Sequence, residues 1–540
     1  MRKTITIALS LMLVFTLMLS GCSSDISQEE SKGNTVTTNG IENISSNENK
    51  EYEELVIGYG VDIEGLNPIN TIGNQEAALS LAYDTLVKCD NGKIKPNLAE
   101  SWEISPDGKE YTFKLKKGVQ FTDGTPFNAE VVKKNIELII PNPRYVYLGI
   151  VRNFKSVEVI DEYTVKLSLT TPFYATLYDF SSYLPLSMVS PDTIESIEPT
   201  IIEGSIGTGP YIYSEYEANK YYTFVRNDNY WGEKPSYKKI VLKIIPDIDA
   251  RILALKSGEI DMILGTDFLS YDAVNEIKND DRFTAQISET VSRTRNMFVN
   301  TTSEKLGDVK IRKAIAHAIN KEEIVDSLLY GLEDKSDTLF DEELPYCKVD
   351  IEPYKYDVEK ANKLLDEAGW LKIEGSKFRQ KDGDELNLSL TYASGFAFNK
   401  EITYAVQGYL KEVGINCEVA GSELMTWYAN CMEGKFDITV FVIFEPYLCM
   451  TSMIGPYPES MVIQGLSMKS EIIGNIEKII SSNDEKQIDD SYEYVLSTLH
   501  NEVAMIPISF RKEIVIYNND KIEEYFFAEK PQMFMLNNVK

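Results

Sequence analysis

Histidine is nearly absent from this 540-residue sequence, which contains two such residues, His317 and His500. Both fall in helical patterns away from any partner motif, so an H-E-x-x-H zinc site is excluded. The G-x-S-x-G turn of serine hydrolases, the P-loop and the strand-linked G-x-G-x-x-G segment of nucleotide-binding enzymes are missing as well. A secreted hydrolase would need a nucleophile–base pair that the sequence does not display. The chain is therefore predicted not to be an enzyme.

Cysteine and positive charge are also scarce. The six cysteines include no C-x-x-C pair, which argues against a zinc knuckle or a redox pair and favours small buried residues. Lysine and arginine number 54 against 84 aspartates and glutamates, for a formal net charge of −30. A chain this acidic repels phosphate backbones, so no nucleic-acid partner is expected.

The N-terminus carries a targeting pattern. A short basic start precedes an apolar run over residues 5–19, which is short for a membrane span and has the layout of an export signal. The run ends in a Leu-Ser-Gly-Cys motif at Cys22, which resembles the lipobox of bacterial lipoproteins. The resemblance implies a signal peptide at 1–21 and lipidation of Cys22, with attachment to the cell membrane. Residues 22–50 continue as a polar linker without aromatic residues.

Beyond the linker, strand and helix patterns alternate. Alternating apolar residues predict strands at Tyr111–Leu115 and Thr164–Leu169. Asn128 is placed to cap one helix, and Asp357 is placed to cap another that ends before Gly369. Mixed strands and helices over this length predict an α/β body with more than one lobe.

A long stretch around the first of these strands carries a family signature. Its segments Leu98–Ser105, Asp107-Gly108, Tyr111–Leu115 and Gly118–Phe127 resemble the family 5 solute-binding proteins, the peptide and nickel receptors of ABC importers. The resemblance extends from about residue 54 to about residue 509, which is far beyond chance. Further matching segments are Gly207–Tyr211, Arg226–Gly232, Gly258–Asp261, Ile311–Ile324 and Tyr356–Trp370.

The resemblance implies a fold and a division into domains. We expect a two-lobe, periplasmic-binding-protein-like α/β fold of the cluster C type, with a hinge and an extra subdomain in the first lobe. Lobe I is expected at 51–280 with the extra subdomain at about 84–200, lobe II at 281–500, and a return to lobe I at 501–540. The family also implies an extracytoplasmic monomer that closes around its solute and delivers it to an ABC permease driven by a cytoplasmic ATPase.

Within the family, the nickel-type receptors are most similar to this chain. The likeness is concentrated in four segments, Ile206–Pro235, Asp337–Phe340, Leu344–Tyr346 and Ile506–Ser509. It implies that the receptor captures Ni(II), or a related transition metal, bound through a small organic chelator. The metal complex would be cargo, and no resident cofactor is expected.

The same likeness implies ligand-binding residues. Arg144, followed by Tyr145, stands where nickel-type receptors have a basic residue that holds chelator carboxylates, and a guanidinium suits bidentate carboxylate binding. Lys116 aligns with a second basic site, where an arginine is expected. Tyr428 and Tyr447 align with two tyrosines of the second lobe.

The chain departs from both subtypes of the family. No histidine lies shortly after Tyr447, where some nickel-type receptors have a metal ligand, and nickel favours imidazole. Direct binding of the metal by the protein is therefore not expected, unless a thiol of Cys417, Cys431 or Cys449 faces the cleft. Peptide receptors place an aspartate in this region to bind the peptide amine, and this chain has Glu445 there. A receptor for short peptides is the alternative to a receptor for nickel chelates.

Overall fold

The computed structural model describes most of the chain beyond its N-terminal segment. The described residues are 51–63, 66–69, 76–90, 93–142, 145, 148–194, 206–265, 269–443, 445–527 and 539. Residues 1–49 are a separate unit of the chain, and the predicted signal peptide, Cys22 and the linker lie outside the described residues. Within the described part, no helix combines the length and the apolar character needed to cross a bilayer.

A mixed sheet of 11 strands forms the centre of the structure. The strands of the chain are β1 (Tyr52–Tyr59), β2 (Val87–Asp90), β3 (Lys93–Pro96), β4 (Ala99–Ile104), β5 (Glu110–Leu115), β6 (Phe154–Asp161), β7 (Thr164–Leu169), β8 (Tyr211–Glu217), β9 (Tyr221–Arg226), β10 (Tyr237–Ile244), β11 (Met262–Leu264), β12 (Phe283–Val299), β13 (Asp334–Lys335), β14 (Gln380–Lys381), β15 (Asp384–Glu385), β16 (Asn387–Ala393), β17 (Asn416–Ser422), β18 (Ile438–Ile443) and β19 (Met505–Asn518). The central sheet has the order β17-β16-β18-β12-β19-β11-β1-β10-β9-β8, and β13 pairs with β19. Strands and helices thus share one α/β body, as predicted.

Two long strands, β12 and β19, run through the middle of this sheet. They have 17 and 14 residues and pair in antiparallel fashion along nearly their whole length. β19 also pairs with β11, and β12 also pairs with β18. The ladder between the two is irregular from Ile287 to Arg293 and again after Arg295. Such irregularities bend a strand locally and redirect its side chains.

A buried ion pair fixes this irregular region. The Nε of Arg295 donates to both carboxylate oxygens of Glu333, at 2.8 and 2.9 Å. The hydroxyls of Tyr271 and Ser509 donate to the same carboxylate at 2.6 and 2.5 Å. None of the four residues is more than 2% exposed. Because a buried charge without its partner is strongly unfavourable, the group holds β12, β19 and the segment before β13 in one arrangement.

A separate antiparallel sheet, β4-β5-β7-β6, lies in the region that is expected to form the extra subdomain. β4 and β5 are joined by the predicted turn at Asp107-Gly108, where Gly108 has a φ of 68° that glycine adopts without steric clash. The predicted strands Tyr111–Leu115 and Thr164–Leu169 correspond to the neighbouring strands β5 and β7. β2 pairs with β3 and β14 pairs with β15 in two small hairpins.

Helices cover these sheets. They are α1 (Glu76–Ala82), α2 (Ala129–Ile139), α3 (Gly149–Asn153), α4 (Thr176–Asp179), α5 (Tyr183–Leu186), α6 (Pro191–Ile194), α7 (Ile248–Ser257), α8 (Tyr271–Ile277), α9 (Val309–Ala318), α10 (Lys321–Glu323), α11 (Val358–Glu367), α12 (Asn399–Glu412), α13 (Leu424–Met432), α14 (Pro446–Met453), α15 (Lys469–Ser481) and α16 (Glu485–Asn501), with 3₁₀ turns at Glu304–Leu306 and Pro458–Val462 and a π turn at Ile324–Leu328. Two predicted caps are confirmed, because Asn128 accepts from the amide of Val131 at 3.1 Å and Asp357 accepts from that of Lys360 at 2.8 Å. Gly369, with a φ of 86°, follows the second of these helices.

Three apolar cores hold the elements together. The first is built mostly from residues 55–264, the second from residues 252–516 and the third from residues 298–505. Tyr447 belongs to the first core, although Cys449 and Met450 of the same helix, α14, belong to the third. α14 therefore reaches across from the later part of the chain to the earlier part.

Candidate ligand-binding site

A cavity of about 620 Å³ opens beside the irregular part of β12. Volumes of roughly 300–1,000 Å³ are typical of sites for small organic ligands. The part of the chain before β12 contributes Cys89, Ile104, Gly108, Tyr111, Tyr174 and Tyr178 to its wall. The later part contributes Val291, Ser292, Arg293, Thr294, Phe340, Asp341, Leu344, Pro345, Tyr346, Glu445, Pro446, Tyr447, Asn483, Glu485 and Ile488.

Tyrosine rings form much of this wall and connect its two sides. The hydroxyls of Tyr174 and Tyr492 lie 2.7 Å apart. Tyr346 stacks on Tyr492, with ring centroids 5.7 Å apart and an angle of 12° between the planes. Tyr447 contacts Phe173 edge-on at 6.3 Å. These rings give the cavity rigid apolar faces with polar edges.

Charged side chains of both signs complete the lining. Arg293 comes from β12, Asp341 from the loop after β13, Glu445 from the start of α14 and Glu485 from the start of α16. Glu485 is exposed at the rim, while the other three are half-buried. The described lining residues thus include three carboxylates and one guanidinium. The cavity therefore favours a solute that carries positive charge together with an anionic group.

A buried carboxyl lies close to this wall. Asp179, at the end of α4, is fully buried and accepts a hydrogen bond from the amide of Ile150 at 2.9 Å. Burial raises the pKa of Asp179 to about 7; nearby Arg152 lowers this pKa, and the charge of Glu445 raises it. The charge of Glu445, from the later part of the chain, thus acts on the buried Asp179 of the earlier part.

Three of the predicted site residues lie near the two ends of α14. Glu445 and Tyr447 line the cavity on either side of Pro446, at the start of the helix. Tyr428 lies on α13, where its hydroxyl donates to the carbonyl of Pro456 at 2.7 Å and its ring contacts Tyr457 edge-on at 6.4 Å. Tyr428 does not line the cavity itself but supports the segment that follows α14.

The other predicted residues have different settings. Lys116 follows β5, with its ammonium 4.1 Å from the centre of the Trp231 ring and near the buried Asp84, so it is away from the described cavity lining. Tyr145 is buried, and its hydroxyl donates to the carbonyl of Ile69. Arg144 lies outside the described residues.

Sequence analysis missed Arg293, the one arginine among the described lining residues. Its only sequence signal is the alternation in Ser292-Arg293-Thr294-Arg295, which places charged groups at every second position of a strand. Arg295 uses its position to bind Glu333, whereas Arg293 reaches the cavity. Sequence alone does not show which of the two arginines forms the buried ion pair and which lines the cavity.

Both histidines are engaged elsewhere. A ring nitrogen of His317 lies 2.7 Å from the carbonyl of Lys355, and one of His500 lies 2.9 Å from that of Glu352. The ring of Tyr354 contacts both imidazoles. In the described part of the chain, no group of three or more histidine, cysteine, aspartate or glutamate side chains is arranged to hold a metal ion.

Comparison with known proteins gives this site a family context. The family model "Bacterial extracellular solute-binding proteins, family 5 Middle" matches residues 93–457. The nickel-binding periplasmic protein of Escherichia coli (strain K12) is 31% identical over 473 residues, which cover 86% of this chain and 90% of that protein. The oligopeptide-binding protein AppA of Bacillus subtilis (strain 168) is 25% identical over 513 residues, which cover 92% of this chain and 91% of that protein.

A solved structure agrees with these matches over nearly the whole described body. NikA from Brucella suis in complex with Fe(III)-EDTA is similar with a TM-score of 0.86 and 32% identity, covering 91% of this chain and 100% of that one. The match confirms the predicted two-lobe fold. It also confirms that the chain is not an enzyme, because proteins of this family are transport receptors. The chain therefore belongs to family 5 of the bacterial extracellular solute-binding proteins and is a solute-binding receptor of an ABC importer.

Proposed function

We propose that this receptor captures nickel, or a related transition metal, as a complex with a small organic chelator, and delivers it to its ABC permease. The observation that carries the proposal is the similarity to two metal-related receptors at 31% and 32% identity over most of the chain. The peptide receptor AppA is more distant, at 25% identity. Lobe closure around the complex would present one conformer to the permease.

The lining chemistry supports recognition of a chelate from outside its metal shell. Aromatic faces can pack against the organic part of a chelator, and Arg293 can pair with a carboxylate. Arg144 is, by its place in the chain, a second candidate for such a carboxylate. With both imidazoles bound to backbone carbonyls, the chelator is the natural source of nitrogen ligands for the metal.

Tethering at the membrane is part of the same proposal. The motif that ends at Cys22 would place a lipid on that residue, and the linker at 22–50 would let the folded body reach the permease. Radiolabelled palmitate tests this. Label should enter the full-length protein and be absent from a Cys22→Ala variant.

A peptide receptor is the second candidate, and one observation favours it. Glu445 lines the cavity at the start of α14, where its carboxylate can pair with a peptide amine. The cavity volume of about 620 Å³ also admits a short peptide. In that case Arg293 would serve the peptide carboxylate.

Native mass spectrometry of residues 23–540 separates the two. The protein is purified from nickel-containing rich medium, and the metal content of the same sample is measured. We expect one added small-molecule mass that departs together with nickel, and loss of both in Tyr447→Ala. Lys155→Gln, an exposed change on β6, is the matched control. A mixture of peptide masses without metal would contradict the nickel proposal and establish the peptide alternative.

A further inference from the structure

Two tyrosine hydroxyls meet beside the cavity, where the earlier and later parts of the chain come together. Tyr174 precedes α4 and Tyr492 lies on α16, and their phenolic oxygens are 2.7 Å apart. The two residues are 318 positions apart in the sequence, so only the fold brings them together. Tyr174 lines the cavity, whereas Tyr492 is fully buried in the third apolar core. The hydrogen bond therefore joins the wall of the ligand site to the interior of the later part of the chain.

A third ring holds this pair in place. Tyr346, another residue of the cavity wall, stacks on Tyr492 and meets Tyr174 edge-on, with ring centroids 5.8 Å apart. Tyr174 itself packs against both the first and the third apolar core. In such a setting a hydroxyl that keeps its partner gains little over bonding to water, but one that loses its partner is left unsatisfied, which is costly. The contact is therefore sensitive to the removal of either hydroxyl alone.

A second link joins the same two parts of the chain at the rim of the cavity. The Nδ2 of Asn483, between α15 and α16, donates to the carbonyl of Pro106 at 3.2 Å. Pro106 belongs to the turn between β4 and β5, and Gly108 of this turn lets Asn483 approach, since a Cβ at Gly108 would lie 2.9 Å from the Cβ of Asn483. Gly108 and Asn483 both line the cavity. Contacts at two places on the cavity boundary thus hold its two sides together.

We propose that the hydrogen bond between Tyr174 and Tyr492 forms when the two lobes close and breaks when they open, and that it thereby controls how tightly a captured solute is retained. Tyr174 falls in the expected subdomain of lobe I, and Tyr492 falls in the expected lobe II. In the open form water can satisfy both hydroxyls, whereas in the closed form each depends on the other. Tyr492 is not among the described residues that line the cavity, so it is a positioning residue that acts on the solute through Tyr174 and lobe closure. The inference rests on the proposed capture of a solute between the lobes and applies to a metal chelate or a peptide.

A single and a double variant test this inference. Tyr492→Phe leaves the hydroxyl of Tyr174 without its partner in the closed form only, so binding of nickel–histidine to residues 23–540 is expected to weaken about 5- to 100-fold in calorimetric titration. The double variant Tyr174→Phe/Tyr492→Phe removes both hydroxyls and is expected to bind within about threefold of the wild type, because replacing both partners by apolar groups of the same shape is nearly neutral. An unchanged affinity in Tyr492→Phe, or a double variant as weak as the single one, would overturn the proposal.

Tyr211→Phe is the matched control. Its buried hydroxyl donates to the carbonyl of Tyr237 at 2.9 Å, and both residues belong to the earlier part of the chain. The loss of this bond is expected to lower the melting temperature while leaving the affinity for nickel–histidine unchanged. If Tyr211→Phe weakened binding as much as Tyr492→Phe does, general destabilisation would explain both results and the inference would be rejected.

Small-angle X-ray scattering measures lobe closure itself. The wild type is expected to contract when nickel–histidine is added, and Tyr492→Phe is expected to need a higher concentration of the complex for the same contraction. If the wild type does not bind nickel–histidine, the nickel proposal fails by itself, and the same titrations are made with Ala-Ala-Ala. Weaker binding by Tyr492→Phe and recovery in the double variant would then still support the inference, and equal binding by all three proteins would exclude it.

Discussion

Replacing Asp179 by asparagine tests how the protein holds a carboxyl group out of water beside its ligand site. The pKa of this group rises from 3.8 to about 7, with burial as the main cause, Arg152 opposing the rise and Glu445 adding to it. Because the folded pKa is the higher one, the folded state keeps a proton that the unfolded chain releases. Stability is therefore lost as pH rises through the window between about 4 and 7.

The magnitude follows from the same two values. A rise from 3.8 to about 7 corresponds to about 4 kcal/mol at 1.36 kcal/mol per pH unit. Asparagine keeps an acceptor for the amide of Ile150 and cannot ionise. We therefore expect Asp179→Asn to match the wild type near pH 4 and to exceed it by up to about 4 kcal/mol at pH 8.

The difference in free energy of unfolding between the variant and the wild type is measured by urea unfolding of residues 23–540 at several pH values between 5 and 8. Tryptophan fluorescence monitors the unfolding. Asp192→Asn, which changes an exposed aspartate on α6, is the matched control. A difference between variant and wild type that stays constant over this range would refute the reasoning. So would a difference that grows toward acid pH, because it would mean that Asp179 is held ionised.

Three further outcomes follow from the structure. Glu333→Gln leaves the buried Arg295 without its counter-ion and is expected to lower the free energy of unfolding by about 3–5 kcal/mol in urea; an unchanged midpoint would contradict this. Arg293→Gln is expected to weaken binding of nickel–histidine about tenfold in calorimetry, with melting temperature unchanged, if Arg293 contacts the solute. Iodoacetamide at pH 8 is expected to label Cys89 first in residues 23–540, more slowly with ligand present, since Cys89 lines the cavity. Slower labelling is expected at the buried thiols, whose pKa values burial raises: Cys347, Cys417, Cys431 and Cys449.

Local rules explain what the sequence predicted well. The caps at Asn128 and Asp357 and the turn at Gly108 depend on residues within a few positions of each other, so their patterns can be read directly. The family signature supplied the two-lobe fold, because that likeness extends over most of the chain.

The site was harder to predict, because its members meet only through long-range packing. Lys116 was predicted as a ligand-binding residue from its position along the chain. The orientation of its side chain, however, depends on Trp231 and Asp84, which only the folded structure brings next to it. Arg293 carries no local motif, and its place at the cavity depends on the irregular pairing of β12 with β19.

The place of β19 constrains the order in which the chain can fold. This strand comes from residues 505–518, near the end of the chain, yet it lies between β11 and β12 in the central sheet. A chain is synthesised from its N-terminus onward. The central sheet therefore cannot be completed until residues 505–518 have been made. Pairing over such a separation is slow, because a long loop must close before the contacts form. Until then the edges of β11 and β12 stay open, and open strand edges are the places where unfinished chains pair with one another.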